Sequence, residues 1–152
     1  MNYWLMKSEP ETFGIEHLQN RPQQTEPWDG VRNYQARNMM RDQMQVGDKA
    51  FFYHSNCKEP GIVGIVKIVR AGYPDKSGQN PESKYYDPKA SADNPRWFMV
   101  DVQLETKFVH TISLNALKQY PPLEGMKVLA RGSRLSITPV TKQQWAFILS
   151  LA

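Results

Sequence analysis

The chain has 152 residues, with 19 Lys or Arg against 15 Asp or Glu, a formal net charge of +4 and an isoelectric point near 9.2. That length suits one domain, residues 1–152, able to bury roughly two-thirds of its unfolded surface. Cys57 is the only cysteine, which excludes an internal disulfide and fits a reducing compartment.

In chain order, Tyr3 to Lys7 reads as a strand, and Thr12 to Asn20, with Phe13, Ile15 and Leu18 apolar, as a short helix capped by Thr12. A Pro- and Gln-rich turn follows. Asn33 to Met44 carries Ala36, Met39, Met40 and Met44 at helical spacing, and Gly47-Asp48 turns the chain into a strand over Lys49 to His54. Ile62 to Val69 is dense in β-branched residues, as a buried or half-buried strand would be. Residues 72–96 collect Gly, Pro, Ser, Asn and Asp without periodicity and predict a long surface loop of functional character, bearing Lys76, Lys84, Tyr85, Tyr86, Lys89 and Arg96.

Trp97 to Val109 alternates, with Phe98, Val100, Val102 and Leu104 on one face and Met99, Asp101, Gln103 and Glu105 on the other. Ser113 caps a short helix through Lys118. Ser136 to Val140 is a last strand, and Thr141 to Gln144 is a capping box opening a C-terminal helix whose Trp145, Ile148 and Leu149 are expected in the core. Five or six strands among three or four short helices, without a βαβ repeat, predict an α+β domain built on a small curled sheet or barrel.

The N-terminus has no basic region followed by a cleavable apolar core, and no apolar run approaches the roughly 20 residues that span a bilayer, so a soluble, cytoplasmic protein without membrane contact is expected. His17, His54 and His110 are scattered, and His54 with Cys57 lacks the further ligands of a zinc site, so neither metal nor cofactor is expected. Charge is uneven. Residues 1–30 hold five acids against Lys7 and Arg21, whereas residues 106–152 hold six bases against Glu124, and the basic half suits a polyanion.

Two stretches carry the functional signal: Trp28 to Arg37, and Phe51-Phe52-Tyr53-His54-Ser55-Asn56. Each places aromatics beside residues with paired donors and acceptors, which is what stacking a nucleobase and testing its edge requires. Trp28 is a candidate stacking platform and Trp97 the opposite wall. Asn33 and Asn56 can read a base edge in both directions, and Ser8 and Ser55 add hydroxyls. The structural alternatives are a core Trp28, an Asn33 that caps a helix, and a Lys7 that only snorkels to solvent. Arg32, Arg37, Arg131 and Arg134 are candidate phosphate contacts, with Lys84 and Arg96 behind them; Arg32 and Arg37 are equally able to serve as internal ion-pair partners.

The motifs Tyr3-Trp4-Leu5-Met6-Lys7-Ser8-Glu9-Pro10, Trp28-Asp29-Gly30-Val31-Arg32-Asn33, Ala36-Arg37-Asn38, Val46-Gly47-Asp48, Tyr53-His54-Ser55-Asn56, Gly61 to Ile65, Tyr85-Tyr86-Asp87-Pro88 and Leu135 to Val140 occur in one order along the chain. Together they resemble the EVE domain family over roughly residues 2 to 150. The resemblance implies a PUA-like fold related to the YTH readers of methylated adenine. It also implies binding of DNA or RNA that carries a modified nucleobase, notably a substituted cytosine, with the base flipped into a pocket. Lys7, Ser8, Trp28, Asn33, His54, Ser55, Asn56 and Trp97 would line that pocket, and no catalytic residue is implied.

Two alternatives stay open. PUA-like domains of the ASCH type resemble small amidohydrolases that use a lysine with a carboxylate, for which Lys7 and Glu9 beside His54 and Ser55 are candidates. A protein-interaction module would use the same Trp and Tyr residues as hot spots.

Overall fold

The alternating segments assemble into one six-stranded sheet in the computed structural model, which describes residues 1–130 and 135–152. Its strands are β1 (Tyr3–Ser8), β2 (Thr25–Pro27), β3 (Lys49–His54), β4 (Gly61–Pro74), β5 (Phe98–Ser113) and β6 (Ile137–Val140), in the order β2-β5-β4-β3-β1-β6. β1 and β3 run parallel, Tyr3 opposite Lys49 through Ser8 opposite His54, and every other neighbouring pair is antiparallel. The expected small sheet with short helices is present. β2 and β6 are its two edges, so the sheet stays open where a barrel would close.

The pleat decides which side each residue enters. Trp4, Met6, Ala50, Phe52, Val66 and Ile68 join one buried cluster, while Leu5, Phe51, Tyr53, Ile62 and Ile65 join a second. Both faces are therefore covered, which explains why β3 and the first half of β4 read as unbroken apolar runs. The first face packs under α1 (Pro10–Phe13), α2 (Ile15–Gln19) and α3 (Tyr34–Asn38), and the second under α4 (Leu114–Leu117) and α5 (Lys142–Leu151).

Several local expectations change. The helix predicted over Thr12 to Asn20 is two short turns broken at Gly14, whose φ of −97° and ψ of 173° are extended. Thr12 therefore sits inside α1 and caps nothing; the N-cap is Glu9. The helix predicted from Asn33 is α-helical only to Asn38 and continues as a π-helical turn over Met39–Gln43, closed by the Met44 amide donating to the Met39 carbonyl at 2.8 Å. β2 was not expected, being three residues that end in proline. β4 runs on to Pro74, into the predicted loop. On α5, Trp145 and Ile148 are buried as expected, but Leu149 is 41% exposed because its side chain falls outside the stripe facing the sheet.

The capping residues read from the sequence do cap. Ser113 Oγ accepts from the Ala116 amide at 3.1 Å, and Thr141 and Gln144 exchange side-chain to backbone bonds of 2.9 and 3.1 Å. Asp48, 2% exposed, accepts from the Trp4 indole at 3.0 Å, the Gln45 amide at 3.0 Å and the Asn2 amide at 3.1 Å, and so locks the starts of β1 and β3 together. No helix among the described residues is long and apolar enough to cross a membrane.

Candidate nucleic-acid interface

A parallel pair leaves both its C-terminal ends on the same side, and here Ser8 and His54 end β1 and β3 together, tied by the Ser55 amide donating to the Ser8 carbonyl at 3.0 Å. Above that end lies an open cavity of about 750 Å3. Its walls come from Lys7 to Glu9, Thr12 and Phe13, the 26–33 segment, Lys84 with Tyr85, and Ser136. Volumes of roughly 300–1,000 Å3 are typical of small-ligand sites.

Trp28 anchors one wall. Its amide donates to the Val100 carbonyl at 2.7 Å, its ring meets Phe52 edge-on at 5.3 Å and Phe13 at 6.3 Å, and it is only 7% exposed. Most of the indole is packed, as the core reading has it, and the remainder borders the cavity. Its ring N–H has no hydrogen-bond partner among the described residues, whereas the Trp4 and Trp97 indoles each donate to a carboxylate.

Asn33 is the helix cap that one of its two readings gives, and it also borders the cavity. Its Oδ1 accepts from the Ala36 amide at 3.0 Å, which leaves the amide N–H groups to face a ligand. Ser8 donates its hydroxyl to the Phe13 carbonyl at 2.7 Å and so retains acceptor capacity. Lys7 lies beside the Tyr53 ring, 5.9 Å from its centroid, and burial holds its ammonium below the ordinary lysine range.

Other candidates lie elsewhere. Ser55 and Asn56 line a neighbouring cavity of about 470 Å3, which shares Lys7 with the first. Asn56 reaches it with a left-handed φ of 52°. His54 is turned under α2, where its Nε2 accepts from the Ile15 amide at 3.1 Å. Burial lowers its pKa, and Glu16 opposes that shift. Trp97 is 5% exposed and forms no wall of the cavity; its ring stacks on Tyr34 at 5.0 Å and its N–H donates to Asp87 at 2.8 Å. The wall facing the 28–30 segment is Tyr85.

The arginines divide in the same way. Arg32 lines the cavity, yet its five N–H groups are spent on the carbonyls of Val31 and Tyr85, the Ser77 hydroxyl and Asp75. It is an internal strut, with its guanidinium 5.2 Å from the Trp97 ring centroid. Arg37 bonds Asn38 and the Arg96 carbonyl, and Arg96 bonds Tyr34 and pairs with Asp87 at 3.0 Å. Lys84 stays at the rim, 5.0 Å from the Tyr85 centroid. Arg131 and Arg134 lie outside the described residues.

Three contributors were missed. Asp75, 1% exposed, accepts from Arg32, Ser77 and the Gly30 amide. Burial opposes its charge, but those hydrogen bonds prevail and hold its carboxyl below the usual range. Gly30, at φ +77°, lets the Tyr85 ring lie on the backbone: a Cβ there would sit 2.5 Å from that ring. Asp29 lines the cavity between these fixed neighbours. Asp29 and Gly30 stood inside a stretch already singled out; Asp75, 45 residues beyond Gly30, gave no local signal.

An open mixed sheet with helices on both faces, and a cavity at the end of its parallel pair, is the PUA-like class of α+β domain. Within that class, residues 2–151 match the EVE domain model, and the chain belongs to that family. Rat thymocyte nuclear protein 1 is 50% identical over 99% of this chain and 73% of its own length. A crystal structure of a Pseudomonas syringae protein, 50% identical, covers 98% of each chain with a TM-score of 0.93. The human THYN1 protein in complex with 5-methylcytosine containing DNA is 48% identical, covers 99% of this chain and 97% of that one, and has a TM-score of 0.94.

Proposed function

We propose that this protein binds DNA carrying a modified base, with the base flipped out of its strand into the cavity beside Trp28. The observation that carries the reading is an aromatic wall whose indole N–H has no partner among the described residues, bordering a cavity sized for a small ligand. Its support from outside the chain is the human THYN1 complex with 5-methylcytosine containing DNA. Flipping costs a few kcal/mol of lost stacking and pairing, and one aromatic platform returns about 1–3 kcal/mol. Asn33 and Ser8 then supply a donor and an acceptor for the base edge, and Lys84 at the rim supplies charge for a phosphate.

Binding is favoured over hydrolysis. Lys7 and Glu9 share the cavity wall without forming an ion pair among those described, and His54 has its Nε2 committed to Ile15.

Fluorescence anisotropy at fixed salt tests the reading, using single-stranded and duplex oligonucleotides with a central cytosine or 5-methylcytosine. Wild type is expected to prefer the modified base, and Trp28→Ala to weaken its binding by about 5- to 150-fold. Trp28→Phe, which preserves more of the packing, should fall between. Equal, weak binding of all oligonucleotides by all three proteins rejects the reading. A steep salt dependence separates phosphate contact from docking of a protein partner.

A further inference from the structure

The wall residue Asp29 has no part in holding the cavity together. Its neighbours are fixed, Trp28 by its amide on the Val100 carbonyl at 2.7 Å and Gly30 by its amide on Asp75 at 2.9 Å, so the backbone that carries Asp29 is held on both sides. The Asp29 carboxylate itself makes no ion pair and no hydrogen bond to another residue among those described. It stands exposed to solvent at the cavity wall. Burial first, then the charge of Asp75, pushes its carboxyl above the usual carboxylate range. Its own backbone N–H donates to the carboxylate and partly offsets that shift, and no other residue among those described supplies a donor.

Asn33 is the complement. With Oδ1 occupied by the Ala36 amide, it has amide N–H donors to offer the same cavity. The wall thus presents a carboxylate that only accepts and an amide that donates. Cytosine carries an exocyclic amino donor next to a ring-nitrogen acceptor, whereas thymine carries a carbonyl acceptor next to a ring N–H donor. The methyl group of 5-methylcytosine cannot separate the two bases, because thymine carries the same methyl. Only the amino edge differs.

Resting on the function proposed above, we infer that Asp29 sets the specificity of the cavity: its carboxylate accepts from the exocyclic amino group of the bound base while Asn33 donates to the adjacent ring nitrogen. Against thymine the carboxylate would face a carbonyl oxygen and lose its donor, the kind of mismatch that polar sites reject far more strongly than the gain or loss of a methyl. Adenine shares the amino-edge pattern, so Asp29 sorts amino bases from keto bases, and the shape of the cavity sorts purine from pyrimidine.

The test uses single-stranded oligonucleotides identical except for a central 5-methylcytosine, cytosine or thymine, titrated by anisotropy into wild type, Asp29→Asn, Asp29→Ala and Trp28→Phe. Wild type is expected to prefer 5-methylcytosine over thymine by about tenfold or more, and Asp29→Asn to bring that ratio within about twofold, since an amide can pair with either edge. Asp29→Ala should narrow the ratio while losing affinity for 5-methylcytosine. If Asp29→Asn and Asp29→Ala keep the wild-type ratio, the inference is overturned. A wild type that prefers 5-methylcytosine over cytosine through Trp28 but takes thymine equally well also overturns it, while base reading stands. A wild type indifferent to all three bases, and to Trp28→Phe, removes both.

Discussion

Trp28 and Trp97 are nearly equal in exposure, 7% and 5%, yet they belong to regions of opposite character. Around Trp97 most polar groups are paired: its N–H is on Asp87, Arg32 lies over its ring, Arg32 in turn satisfies Asp75 and the Tyr85 carbonyl, and Arg96 Nε meets Asp87 as an ion pair without a hydrogen bond. Around Trp28 the backbone is equally fixed, but among the described residues the indole N–H and the Asn33 amide N–H groups have no protein acceptor, and the Asp29 carboxylate has no donor beyond its own backbone N–H. Burial does not tell a structural aromatic from a functional one. The difference lies in which hydrogen-bonding capacity the fold leaves open at the cavity, where the Asp29 and Asn33 side chains are exposed. The region around Trp97 is the support, and it holds the cavity wall in place through Asp75 and Tyr85.

The comparison breaks most visibly at Arg32. Arg32→Ala removes a strut with five donors and leaves Asp75 as a buried carboxylate without its cation, so a loss of about 3–5 kcal/mol is expected in a urea titration. Gly30→Ala puts a Cβ against the Tyr85 ring and strains a residue at φ +77°. It should cost about 1–3 kcal/mol and weaken modified-base binding as well, because the same contact shapes the cavity. Trp97→Phe is milder: it takes one hydrogen bond from Asp87, with an expected loss of about 1–2 kcal/mol in thermal or urea unfolding and an unchanged ratio of 5-methylcytosine to cytosine binding. Trp28→Phe should invert that pattern, lowering the ratio with the smaller loss of stability. A Trp97→Phe variant that lost base preference would dissolve the distinction between the two regions.

His54 sharpens the comparison through pH. Burial, opposed by Glu16, lowers its pKa in the folded protein, so the folded state resists a proton that the unfolded chain accepts near the ordinary value of 6.5. The unfolded state then binds more protons in that interval, and stability falls as pH drops below about 6.5. Urea midpoints from pH 7.5 to pH 5.5 should show this decline, with a shallower slope in His54→Gln. Base selectivity, governed by the cavity rather than by His54, should be unchanged by that substitution.

Local patterns in the sequence foretold much of the fold. The alternation from Phe98 to Glu105, the caps at Asn33, Ser113 and Thr141, and the apolar run before His54 each express an interaction between residues close in the chain. The errors occurred where distant packing overruled local preference. Gly14 breaks the first helix beside His54, and Leu149 continues a helical spacing without meeting the sheet.

The site divides along the same line. Trp28, Asn33, Ser8 and Lys7 could be singled out because stacking and edge-reading chemistry is visible in residue type and motif. That His54 would support α2, that Trp97 would stand behind Arg32, and that Tyr85 would form the wall depended on contacts spanning 39, 65 and 55 positions in the chain. The sequence by itself determined most of the elements, several of their caps and the inventory of candidate base-reading groups, since these follow from periodicity and side-chain chemistry. Only the tertiary structure decided which of those groups are consumed within the protein and which face the cavity, because a donor or acceptor is spent only when a specific partner from a remote segment comes within hydrogen-bonding distance.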